Sequence, residues 1–232
     1  MQKYLERIYT KDKNSFYKEL ANKLETSEKC FVVTVNPESI MQAQNDEDLN
    51  KLLLDDNVTL VPDGIAVVKK CRKNHYPVKE RITGIDIASY LLTLANDKKY
   101  SMYLYGAKDE VINSLVSIIN KNYPNINILG YSNGYVDNKD SIMEQIVSLQ
   151  PDICMVALGI PEQEKLIYKY YDKITKGIFI GVGGSFDVLS GTKKRAPKIF
   201  IKLNLEWLYR ILCEPKRIKR FWNNNIKFYF KK

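Results

Sequence analysis

Short runs of consecutive apolar residues alternate along this chain with longer stretches whose apolar positions recur every three or four residues. The short runs are Phe31–Val35, Val58–Val61, Ser101–Tyr105, Ile126–Gly130, Asp152–Leu158 and Gly177–Val182, most of them dense in Val, Ile, Leu, Tyr or Met. Strands covered on both faces have this character, because neither side needs a polar stripe. Between them, Asp12–Leu24 places Phe16, Leu20 and Leu24 on one helical stripe, and Asp109–Asn120 does so with Val111, Leu115, Ile118 and Ile119. Further helices are predicted over Pro37–Leu54, Gly64–Lys73, Asp86–Leu94, Asp140–Leu149 and Pro161–Ile174. The alternation predicts an α/β fold: a Rossmann-like, mainly parallel sheet flanked by helices.

The pattern changes after Gly191. Asn204–Leu212 is amphipathic, Pro215 forces a break, and basic residues then interleave with aromatics to the last residue. Two units are expected, an α/β catalytic core over residues 1–195 and a basic, helical, aromatic-rich appendage over 196–232. Charge sharpens that division. Of a net +9, residues 193–232 carry +11 (13 Lys/Arg, two acids), which leaves the first 192 residues at −2. A near-neutral body with a basic tail needs a polyanionic partner; Trp207, Phe221, Trp222 and Phe228 among the cations fit an anionic membrane surface, the same composition fits nucleic-acid phosphates, and the near-neutral body with its strand-end motifs weighs against nucleic acid. The tail is otherwise expected to pack against a neighbouring chain in a homo-oligomer.

No window reaches the roughly 18 apolar residues of a membrane span, and the charged N-terminal stretch has no signal-peptide core. The expected location is the cytoplasm, peripherally attached to the inner face of the membrane. Cys30, Cys71, Cys154 and Cys213 are scattered without a C-x-x-C pair, so they read as reduced apolar side chains. With His75 as the single histidine, a histidine-built zinc site or a Ser-His-Asp triad has little to rest on.

Candidate chemistry collects at predicted strand ends, where open α/β sheets bind ligands. Thr34-Val35-Asn36-Pro37-Glu38 ends the first strand, and Asn36 there either caps the next helix or meets a ligand. Val61-Pro62-Asp63-Gly64 ends the second; Asp63 either caps a helix or serves as general base. Arg81 precedes a turn at Gly84 and can reach a diphosphate with both arms of its guanidinium. Gly159 permits close backbone approach in Leu158-Gly159-Ile160-Pro161-Glu162-Gln163-Glu164, with Gln163 in the first turn of the following helix. Gly181-Val182-Gly183-Gly184-Ser185-Phe186-Asp187 can cradle a nucleotide, yet it is neither a Walker A loop nor a dinucleotide fingerprint, which weighs against a nicotinamide-dependent oxidoreductase.

Taken in order, T-x-N-P-E, P-D-G, R-x-T-G, L-G-x-P-x-Q-E, G-V-G-G-x-F-D, K-R-A-P, L-E-W-L-Y-R and E-P-x-R-x-x-R make the chain resemble the WecG/TagA/CpsF glycosyltransferase family (glycosyltransferase family 26) over roughly Phe31 to Phe221. The resemblance implies an inverting transferase using a UDP-sugar donor, with N-acetylmannosamine the sugar moved by the best-known member type and another UDP-hexose, in capsule or exopolysaccharide assembly, the alternative. The acceptor it implies is N-acetylglucosamine linked through diphosphate to a polyprenol, in teichoic acid, capsule or related polysaccharide synthesis. It assigns Asp63 as the base, with Thr34, Asn36 and Arg81 lining the acceptor and diphosphate region. Gln163 and Asp187 fall on the nucleotide side, Gly159, Gly183 and Gly184 are further substrate-binding positions, and Arg210, Arg217 and Arg220 would close the site against the lipid diphosphate. It implies no cofactor and no essential metal.

Overall fold

The computed structural model describes residues 1–216, 218, 222 and 227–230. Six strands, β1 (Lys29–Val35), β2 (Val58–Pro62), β3 (Ser101–Gly106), β4 (Asn127–Ser132), β5 (Ile153–Ala157) and β6 (Gly177–Gly181), form one sheet in the order β2-β1-β6-β5-β3-β4. Every pairing is parallel, as the doubly covered apolar runs require.

Alternate strand residues serve two separate cores. Phe31, Val33 and Val35 of β1, Tyr103 and Tyr105 of β3, and Phe179 of β6 face one core. Helices α1 (Gln2–Leu5), α3 (Pro37–Ala43), α4 (Glu47–Leu54), α5 (Ile65–Lys73), α8 (Lys139–Leu149) and α9 (Glu162–Tyr170) complete it. Cys30, Val32, Met102, Leu104, Ile178 and Ile180 point the other way, against α2 (Lys13–Glu25), α6 (Gly84–Lys98), α7 (Asp109–Asn122) and α10 (Ser185–Leu189). β4 closes one edge and is only partly covered.

The predicted helix over Pro37–Leu54 is two helices, because Asp46 leaves helical geometry and its side chain accepts from Leu49 N at 3.1 Å, capping α4. α6 starts at Gly84 rather than Asp86, since Thr83 supplies the cap by accepting from Asp86 N. After α9 the chain tightens into a 3-10 turn, Tyr171–Lys173, where one helix was expected to Ile174. Cys30, Cys71 and Cys154 are buried thiols, whereas Cys213 is exposed.

Beyond α10 lie α11 (Lys198–Lys202), α12 (Glu206–Cys213) and a last turn, α13 (Lys227–Phe230). The last turn packs on the core. Phe228 is fully buried in the first core, and Lys70 Nζ donates to the carbonyls of Phe228 and Tyr229, each at 3.3 Å. No helix of the described residues is long and apolar enough to cross a membrane.

Candidate active site

Beyond the carboxyl ends of the adjacent strands β2, β1 and β6 lies a cavity of about 310 Å³. Each wall follows from a strand ending. β1 delivers Thr34, which is buried, and then Asn36, whose side chain accepts from Ser39 N while Ser39 Oγ accepts from Asn36 N, both at 3.0 Å. That reciprocal cap starts α3 with Pro37 at its first turn, so Asn36 both caps a helix and lines the cavity.

β2 delivers Asp63, whose amide continues the ladder by donating to Val35 O at 2.8 Å. Gly64 follows with φ +120°, a conformation closed to side-chain-bearing residues, and this turn leaves the Asp63 carboxylate on the cavity rather than in α5. Ile82 N donates to Pro62 O at 2.9 Å, which ties the Arg81 segment to the end of β2 and brings its guanidinium to the same wall. Gly84 then packs close to Thr34 and Ser185, so β1, α6 and α10 meet at the cavity floor.

From the appendage come Glu206, Trp207 and Arg210 on α12, and Tyr229 on α13. Glu206 is 4% exposed; its Oε2 lies 3.4 Å from Arg81 Nη2, and its Oε1 accepts from Arg210 Nη2 at 3.0 Å. Burial raises the Asp63 pKa above the ordinary carboxylate range; Arg210 and Arg81 pull it back, while Glu206 and Asp86 add to the rise. A carboxylate held this way can accept a proton from a hydroxyl, with guanidinium charge at hand for a departing phosphate.

Six residues named from sequence therefore share this cavity: Thr34, Asn36, Asp63, Arg81, Gly184 and Arg210. Gly159, Gln163, Gly183 and Asp187 are not among the residues lining it. Gln163 is 2% exposed, and its Oε1 accepts from both Gly159 N and Gly183 N at 3.1 Å. Its Nε2 donates to Glu164 Oε1 at 2.7 Å, so the side chain brackets the turns after β5 and β6 together. Burial pushes Glu164 up to about 7. Asp187 pairs with Lys193 at 3.3 Å beside Gly184. Arg217 and Arg220 lie outside the described residues.

Asp46-Glu47-Asp48 has the spacing of a metal-binding acid pair, but Asp46 and Asp48 hold Lys165 at 3.1 and 2.9 Å on another face. Glu206 was not anticipated as a site residue. The signal was present: it is one of two acids in a 40-residue basic segment, placed four residues before Arg210.

Asp63 beside the guanidiniums of Arg81 and Arg210, at the carboxyl edge of a parallel sheet, is an arrangement suited to an α/β group-transfer enzyme. The family described as glycosyl transferase WecG/TagA/CpsF matches residues 6–231, and the chain belongs to it. Among similar proteins is the N-acetylglucosaminyldiphosphoundecaprenol N-acetyl-beta-D-mannosaminyltransferase of Bacillus subtilis (strain 168), 48% identical over 191 residues, which cover 82% of this chain and 74% of that one. Proteins of the same name from Bacillus spizizenii and Staphylococcus aureus (strain NCTC 8325) are 39% and 35% identical, each over 197 residues, covering 85% and 84% of this chain and 76% and 77% of theirs.

Proposed function

We propose that this glycosyltransferase moves N-acetylmannosamine from a UDP-sugar to N-acetylglucosamine carried on diphosphoundecaprenol, with inversion at the transferred carbon. The observation that carries the mechanism is Asp63, enclosed beside Arg81 and Arg210 at the cavity. In this reading Asp63 takes the proton of the acceptor hydroxyl as its oxygen attacks the anomeric carbon. The bond to the UDP oxygen breaks on the opposite face, and UDP leaves with the electron pair. One base suffices for inversion, since no covalent sugar–enzyme intermediate has to be formed and broken. The substrate identities rest on the names of the relatives.

The leaving diphosphate would be met by guanidinium and backbone N–H groups, so turnover is expected to persist in excess chelator. Gly183, Gly184 and Asp187 would stand on the nucleotide side, with Gln163 shaping that side through its hold on Gly159 and Gly183.

The appendage would bring the enzyme to its lipid-linked acceptor on the inner membrane face. Ile199, Leu203 and Leu212 are each 60% exposed or more, in a segment rich in Lys and Arg. Cosedimentation with phosphatidylglycerol vesicles is expected to fall with salt and with Ile199→Glu/Leu203→Glu; equal binding by that variant would remove the membrane role of this surface.

Transfer from UDP-N-acetylmannosamine to a synthetic lipid-diphosphate N-acetylglucosamine, followed by UDP release and product mass, tests the proposal. Asp63→Asn should retain the wild-type circular dichroism and lose about 100-fold or more in kcat. Unimpaired turnover by this variant would remove Asp63 as base.

A further inference from the structure

A carboxylate on the wall of a cavity meant for anionic substrates calls for a reason. Glu206 offsets one of the two positive charges of Arg81 and Arg210, and it is almost fully buried. Burying a carboxylate is costly unless charge and hydrogen bonds compensate it. Here they come from two directions: Arg81 belongs to the core segment ahead of α6, and Arg210 lies one turn further along α12 itself. Without the carboxylate, two guanidiniums would repel each other, and Arg210, whose side chain is 48% exposed, has solvent to turn into.

We propose that Glu206 is a positioning residue for sugar transfer, its buried carboxylate seating α12 on the core and holding Arg81 and Arg210 beside Asp63. The proposal rests on the reading of Asp63 as base. Preorganised charge is the larger part of what such a site can contribute, because guanidiniums already in place need no reorganisation as charge develops. Among the charged groups around Asp63, Arg210 and Arg81 favour its ionised form, whereas Glu206 and Asp86 oppose it, and Glu38 of α3 lines the same cavity. Asp86, at the start of α6, is itself held by Arg195.

Two variants of the full chain separate position from charge. Glu206→Gln deletes the negative charge and keeps one of the two acceptor oxygens, enough to hold Arg81 and keep α12 on the core, so the acid limb of kcat/KM should move to lower pH. Glu206→Ala releases both guanidiniums, so the limb should move to higher pH while kcat falls about tenfold or more. Hydrogen exchange of residues 206–213 should rise in the alanine variant while that of β1 and β6 stays at the wild-type level. Should that variant lose sheet protection, Glu206→Asp replaces it with the same upward shift expected, since setting the carboxylate back by one methylene lengthens the present 3.4 Å approach to Arg81. Limbs moving down in both variants, or unmoved, or unchanged exchange in α12, would overturn the proposal. The exchange measurement needs no turnover, so a failure of the assigned sugar substrates is distinguishable from a failure of Glu206 as the anchor.

Discussion

At the scale of single residues, Asp63 combines two opposed requirements. Its carboxylate must ionise to take a proton, yet burial resists ionisation and its pKa is raised. Activity should therefore rise with pH along an acid limb lying above the usual aspartate range. Arg210→Ala removes the largest contribution favouring the ionised form and should move that limb to still higher pH, as a kcat/KM profile would read. The stability consequence has the opposite sense. A raised folded-state pKa gives stability that is complete below the unfolded value and is lost as pH rises through the folded one. At neutral pH, Asp63→Asn should melt at or above the wild-type temperature, which calorimetry can check, while abolishing transfer. Gly106 illustrates a residue chosen for space. Its φ is +119°, and an added Cβ would stand 2.4 Å from the Ala157 carbonyl oxygen. Gly106→Ala should cost about 2 kcal/mol or more, read as a lower urea midpoint at unchanged m-value.

At the scale of elements, the strands were legible because parallel pairing demands continuous apolar runs, and all six appeared within a few residues of expectation. Helix ends were less so, because caps compete with periodicity. Asp46 sits inside a stretch whose apolar spacing could continue, yet its bond to Leu49 N ends one helix and begins another. The same limit applies to Gln163. Sequence placed it in a first helical turn near the nucleotide side; that one oxygen joins the turns after β5 and β6 depends on how adjacent strands end in space. Gly181 belongs to this arrangement, since a Cβ there would meet Gln163 Nε2 at 2.5 Å and Glu164 Oε1 at 2.8 Å.

For the whole molecule, the appendage is continuous with the core it follows. Phe228 fills the first core 158 residues away in sequence from Lys70, whose ammonium also lies over its ring. Phe228→Ala should therefore destabilise the entire protein by about 3 kcal/mol, in a single unfolding transition. If the tail were only a membrane anchor, the melting temperature would stay unchanged. The sequence by itself determined the parallel α/β architecture, the family, the segregation of charge into the last forty residues, and the strand ends that bear Thr34, Asn36 and Asp63. These are properties of periodicity, composition and local order, which neighbouring residues carry. Only the tertiary structure decided that Arg81 and Arg210 share one buried carboxylate, that Gln163 brackets two turns, and that Phe228 returns to the core. Each of those depends on packing between segments far apart in the chain, where distance in space owes nothing to distance in sequence.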